Sequence, residues 1–119
     1  MEIASRWSQV SDWIQSAVEI NQGDENLVDV LVALAQGRYL LWHEPDKFAA
    51  VVQVQQFPRQ TVAVVLYAGG DLDAFRERWE EGKAWCRQHG IAAIRTFGRG
   101  GWERVLGMQK IGAILQVNV

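Results

Sequence analysis

Two places in the sequence gather glycines ahead of a helix-forming stretch: Gly69-Gly70-Asp71 and Gly98-Arg99-Gly100-Gly101. Such loops can turn backbone N–H groups toward an anion, so either could cradle a phosphate. Each also has a plainer reading. Asp is a preferred helix N-cap, and a strand exit followed by that cap accounts for Gly69-Gly70-Asp71 in full. The second loop has Arg99 as a clamp but lacks the Lys-Ser/Thr of a Walker loop, which argues against nucleotide hydrolysis and leaves a strand-to-helix turn. Tyr67, at the end of an apolar strand, is by residue type the best general acid or hydrogen-bond donor, although tyrosines at strand ends commonly serve as the wet edge of a core. His43 and Glu44 are adjacent, so on a strand they point to opposite faces and cannot serve one substrate together. His89 precedes a helix-ending glycine, where the dipole favours a cation, and Cys86 falls on an apolar helix stripe as a core thiol.

Six tryptophans stand against two prolines. Trp79 belongs to the stripe of the longest helix and reads as core, while Trp7 and Trp13 occupy the apolar face of the first helix. Trp85 falls off the main stripe and Trp102 opens the last helix beside Arg99. Trp and Arg are frequent interface anchors, so Trp85, Arg99 and Trp102 are the expected protein-binding surface.

The elements that must position these residues follow from periodicity and punctuation. The first twenty residues read as an amphipathic helix, with Trp7, Val10, Trp13 or Ile14, and Ala17 or Val18 on one side, ended by Asn21-Gln22-Gly23. Asp24 is the expected N-cap of a second helix through Gln36, with Glu25 in its first turn. The β-branched interior of that segment makes a strand the competing reading; its length and its cap signals favour the helix. Strands follow at Tyr39 to His43, Phe48 to Phe57 and Thr61 to Ala68, joined by tight turns as an antiparallel meander. The third is apolar on both faces and is therefore expected in the centre of the sheet with helices covering it. Gly69-Gly70 should break that strand. Asp71 should cap a helix running to His89-Gly90, with Leu72, Phe75, Trp79, Gly82 and Cys86 as its apolar stripe and Gly82 admitting a neighbouring backbone. Ile91 to Phe97 is the next strand. A helix of this length between two strands is a crossover, which makes them parallel. A short helix from Trp102 to Lys110, stopped by Gly112, and a final strand from Ala113 to Val119 complete the order α-α-β-β-β-α-β-α-β.

At 119 residues the chain forms one domain, 1–119. Hydrophobic residues make up 49% and charged ones 22%, the balance of a globular protein. Twelve basic against fourteen acidic residues give a net charge of -2, so no broad attraction to nucleic acid is expected. One cysteine excludes an internal disulfide, and two histidines with it supply no metal set. No signal peptide and no apolar run of the roughly 18 residues needed for a membrane span is present.

The succession of a meander, a strand-Gly-helix crossover, a short helix and a last strand resembles, over essentially the whole chain, the GNAT fold of acetyl-CoA-dependent N-acetyltransferases. Met108-Gln109-Lys110-Ile111-Gly112-Ala113 is similar to that family's signature at the end of its last helix. Gly98-Arg99-Gly100-Gly101-Trp102-Glu103-Arg104-Val105-Leu106 is similar to a stretch in short GNAT-like proteins of tailed bacteriophages, described as acetyltransferases or internal virion proteins. The resemblance implies a mixed α/β sheet with helices on both faces, one parallel crossover, and CoA bound at Ala68, Gly69, Gly70 and Asp71. The departures weigh against that activity. The family's diphosphate loop carries a Gln or Arg ahead of its glycines, which Tyr67-Ala68-Gly69-Gly70-Asp71-Leu72-Asp73 lacks, and Asp71 and Asp73 place negative charge where the diphosphate should sit. The tyrosine that often protonates the departing thiolate aligns with Met108, which cannot donate, leaving Tyr67 as the catalytic candidate. The chain also closes without the additional final strand common in the family, so an unpaired edge near its C-terminus is expected.

The expected function is thus a catalytically degenerate GNAT-like domain acting through a protein partner or as a homo-oligomer, in the host cytoplasm or the phage virion, with no cofactor, metal, membrane or nucleic acid. The alternative is an active N-acyltransferase, with acetyl-CoA held by Gly69-Gly70 and the proton supplied by Tyr67 or a water.

Overall fold

The computed structural model describes residues 11, 12, 14, 15, 17, 18, 24–44, 46–97 and 101–119. Ser11, Asp12, Ile14, Gln15, Ala17 and Val18 are helical. Ile14 and Val18 are the positions of this stretch that enter the core; the rest of the first expected helix, with Trp7 and Trp13, lies outside the described residues.

Helix α1 spans Leu27–Ala35. Its valines favour a strand locally, and the ends decide for the helix. Asn26 accepts a hydrogen bond from the N–H of Asp29 at 2.9 Å, while the Asp29 carboxylate accepts one from the N–H of Asn26 at 3.0 Å. This reciprocal box satisfies two otherwise orphaned donors and makes Asn26, not Asp24, the N-cap. Gly37, at φ +76°, stops the helix as expected.

Strands β1 (Leu40–Glu44), β2 (Phe48–Gln56), β3 (Thr61–Gly70) and β4 (Ala93–Thr96) form one sheet in the order β1-β2-β3-β4. The first three are antiparallel and β4 is parallel to β3. The crossover runs through α2 (Leu72–Glu77) and α3 (Trp79–Gln88), and α4 (Gly101–Leu106) follows β4. This is the expected mixed sheet with helices on both faces. Ala49, Val51 and Tyr67 pack against Ile14, Val18, Val30 and Leu34 on one side. Phe48, Ala50 and Val65 pack against Ala74, Phe75, Trp79 and Leu106 on the other.

A bulge interrupts this alternation. Val51 faces Tyr67 but Val52 faces Val65, so Leu66 is an extra residue on β3. In an uninterrupted strand Tyr67 would share the face of Val65; the extra residue sends it to the α1 side and Ala68 to the side of α2.

Several boundaries differ from the sequence expectation. Gly69-Gly70 does not break β3 but supplies its last pairs, to Ala49 and Phe48. The long helix is two, because at Arg78 (φ −95°, ψ 0°) the N–H reaches the carbonyls of both Ala74 (3.3 Å) and Phe75 (3.2 Å), a tightened turn. The Arg78 guanidinium joins Glu81 on α3 to Glu44 at the end of β1. Gly82 admits the indole of Trp42 rather than a backbone: a Cβ there would stand 3.0 Å from the ring. The last helix stops at Leu106, ahead of Gly107 at φ +67°, and not at Gly112. Residues 111–119 are exposed and form no strand, in contrast to the expected Ala113–Val119 strand. A strand needs a neighbour for its backbone groups, and among the described residues this segment has none.

An aromatic cluster binds the α2 side together. Phe48, 1% exposed, lies 5.2 Å from both Trp42 and Phe75 in edge-on contact, and Phe75 continues to Trp79 at 5.8 Å and Trp102 at 5.6 Å. Truncating Phe48 removes the centre of this cluster and leaves a cavity. Phe48→Ala is expected to lower the unfolding free energy in urea by about 3–5 kcal/mol; a loss below about 1 kcal/mol would mean that the cluster is not the core.

Candidate functional site

The glycine pair and the last helix meet at one place. Ala68, Gly69, Gly70, Asp71, Leu72, Phe75 and Trp102 line a cleft of about 200 Å³ at the carboxyl end of β3. The last β3–β4 pair is Val65 with Thr96, and the Thr96 hydroxyl donates to the Val65 carbonyl at 3.2 Å. Beyond it β3 continues to Gly70 without β4 beside it. Open α/β sheets commonly place ligands at such carboxyl ends. The structure therefore gathers Ala68, Gly69, Gly70 and Asp71 around one opening and adds Leu72, Phe75 and Trp102, of which only Trp102 stood out in the sequence as a contact residue.

Two backbone donors at this opening are already engaged. The Asp71 N–H donates to the Lys47 carbonyl at 2.7 Å, and the Asp71 carboxylate accepts from the Asp73 N–H at 2.9 Å. Asp71 is thus the N-cap of α2, with Asp73 adding a second negative charge in the first turn. Among the described residues no Lys or Arg lines the cleft. The start of α2 is thus met by the protein's own carboxylates, which would repel a diphosphate placed against it. Gly70 is needed by the fold itself. It sits at φ +103°, and a Cβ there would approach the Lys47 carbonyl oxygen to 2.4 Å, so a substitution at Gly70 disturbs the β2–β3 pairing before it reports on any ligand.

Tyr67 faces away from this cleft. Its hydroxyl donates to Glu25 at 2.6 Å, and the Tyr39 hydroxyl donates to the other oxygen of the same carboxylate at 2.8 Å. The two tyrosines of the chain thus converge on Glu25, which the sequence presents only as an acidic residue near a helix start. Partners 14 and 42 residues away leave no local signal. Burial and the neighbouring Glu25 carboxylate push the Tyr39 pKa up to about 12. A second, more polar opening of about 300 Å³ lies beside Glu25, lined by Asp24, Asp29, Val32 and Arg38. His43 and Glu44 point to opposite faces as expected: His43 pairs with Ala49 and Glu44 with Phe48.

The tryptophans of the expected interaction surface have different ring partners. Trp85 is 41% exposed and stacks on His89 at 4.1 Å, whereas Trp102 is half-buried against Phe75 at the cleft. Arg99 lies outside the described residues. Trp79 and Cys86 are core, at 7% and 8% exposure. Among the described residues no group of three or more His, Cys, Asp or Glu could hold a metal ion, and no helix is long and apolar enough to cross a membrane.

The Glu25 clamp has a measurable consequence. Tyr39 keeps its proton in the folded protein where the unfolded chain has released it, so its contribution to stability is complete below pH 10.0 and is lost as the pH rises toward about 12. In Glu25→Gln the phenolate difference absorbance of Tyr39 should titrate lower, while staying above the ordinary tyrosine value because burial is the larger cause. An unchanged midpoint would show that Glu25 does not act on Tyr39.

The fold has solved counterparts. TTHA1254 from Thermus thermophilus superposes with a TM-score of 0.63 at 16% identity, over 97% of this chain and 91% of that one. The aminoglycoside acetyltransferase meta-AAC0020, from an uncultured soil metagenomic sample, gives 0.62 at 8% identity over 97% and 89%. A Trypanosoma brucei acetyltransferase gives 0.58 at 12% identity over 94% of each chain. No protein-family model matches the sequence, and no curated protein matches it. At these identities the likeness is one of architecture. The chain has the mixed α/β fold of GNAT-like acetyltransferases.

Proposed function

We propose that this GNAT-fold domain acts by contact with another protein and does not transfer an acyl group. The observation behind this reading is the use of the donors at the strand exit: the Asp71 N–H is held by Lys47 at 2.7 Å and the Asp73 N–H by the Asp71 carboxylate at 2.9 Å. A diphosphate would have to displace a group of its own charge from the helix it needs. The cleft of about 200 Å³ is also smaller than the roughly 300 Å³ at which small-molecule pockets begin. Its walls at Leu72, Phe75 and Trp102 suit an apolar side chain of a protein, and Trp102 is the kind of residue that anchors such contacts. The resemblance of residues 98–106 to short phage proteins directs the search for that partner to the virion or the infected host cytoplasm; the solved structures do not bear on it.

An acyltransferase is the second reading. It has in its favour the position of the cleft, at the carboxyl end of a parallel strand pair where β3 outruns β4, and two fold counterparts named as acetyltransferases. The donation of the Tyr67 hydroxyl to Glu25 leaves a water as its proton source.

Isothermal titration of acetyl-CoA and of CoA into the protein, in buffer free of phosphate, separates the two. No heat is expected up to millimolar ligand. Micromolar binding by the unaltered chain would overturn the contact reading and direct attention to amine acceptors.

A further inference from the structure

One wall of the cleft is a strand edge. After its last pair with β4, Val65 with Thr96, strand β3 runs on to Gly70, and among the described residues no strand lies beside that stretch. The aim of its backbone groups follows from the pairing with β2. Because the Asp71 N–H donates to the Lys47 carbonyl at 2.7 Å, the antiparallel alternation turns the backbone of Gly69 toward β2 and that of Ala68 the other way, into the opening. The Ala68 side chain lies on the α2 side with Phe75 and Trp102, and Leu72 completes the apolar slot.

An edge with backbone groups turned outward, above an apolar slot, is a template for an extended peptide: main-chain bonds hold it and the slot takes alternate side chains. The charge at the mouth selects among such peptides. Asp71 and Asp73 stand together at the start of α2. Arg76 approaches Asp73 only to 3.8 Å, with both side chains well exposed, so this pair does little to neutralise the mouth. Residues 111–119 contain no Lys or Arg, so neither the chain's own tail nor that of a second copy supplies a complementary charge.

We propose that the cleft receives an extended segment of a partner protein in which an apolar residue has a Lys or Arg two positions away. The apolar side chain enters the slot between Leu72, Phe75 and Trp102, the segment pairs with the Ala68 backbone, and the cation, on the same side of the strand, meets Asp71 and Asp73. This rests on the contact reading above and names the chemistry of its partner.

Fluorescence anisotropy of a labelled, end-blocked pentapeptide, lysine-threonine-leucine-threonine-lysine, tests it; lysines on both sides of the leucine serve either strand direction. One control peptide carries glutamates in place of the lysines, and another has its three interior nitrogens methylated. The lysine peptide is expected to bind about tenfold more tightly than either control. The double variant Asp71→Asn/Asp73→Asn should lose about the same factor while keeping its fold, since Asn caps a helix as well as Asp. The Ala68 amide should gain protection from hydrogen exchange when the lysine peptide is present. No binding of the lysine peptide at millimolar concentration, or equal binding of the controls, would overturn the inference. The contact reading falls separately, to binding of CoA in the titration above.

Discussion

Strand β3 lies between β2 and β4 and buries side chains toward both helix layers: Val62, Ala63, Val64, Val65 and Tyr67 are all at or below 9% exposure. An interior strand of this kind has no wet face to relax toward, so its register dictates the rest. One extra residue, Leu66, changes which layer each later side chain meets. It turns Tyr67 toward Glu25 and α1, and it delivers Ala68, Gly69 and Gly70 to the opening beside α2 and α4. The aromatic cluster around Phe48 and Phe75 then fixes α2 against the sheet, and with it the position of Asp71.

The same glycines that make a phosphate loop conceivable are used here to finish a strand. Gly70 adopts its positive φ because the Lys47 backbone passes where a Cβ would lie, and the following N–H closes onto the Lys47 carbonyl. Asp71 and Asp73 then meet the helix start with negative charge. Fold and site chemistry therefore point in different directions. The architecture is a mixed α/β fold shared with solved acetyltransferases, while the start of α2 at the strand exit carries the carboxylates of Asp71 and Asp73.

Much of the architecture was legible because its signals are local. The two-faced apolar run from Thr61 announced an interior strand, and Asp71 and Gly37 marked helix ends through their own backbone and side-chain chemistry. The glycines of the cleft were legible for the same reason. The bulge at Leu66 was not, since nothing in an apolar run says which residue will be left unpaired, and the facing of Tyr67 was lost with it. Glu25 was missed because its partners come from elsewhere in the chain. Asn26 overrode Asp24 as a cap through its reciprocal bond to Asp29, a choice between neighbouring good caps that propensity does not rank. The strand expected at Ala113–Val119 does not form, because an alternating apolar pattern does not by itself supply a partner.

At the strand exit the Asp71 and Asp73 N–H groups are held by the protein's own oxygens. The most direct measurement is the amide spectrum of ¹⁵N-labelled protein as acetyl-CoA is added. The resonances of Gly69, Gly70, Asp71 and Asp73 are expected to stay in place up to millimolar ligand, with the Asp71 and Asp73 amides protected by their bonds to Lys47 and to the cap. Saturable, concerted shifts of these four amides would contradict it and restore the cleft as an acyl-CoA site.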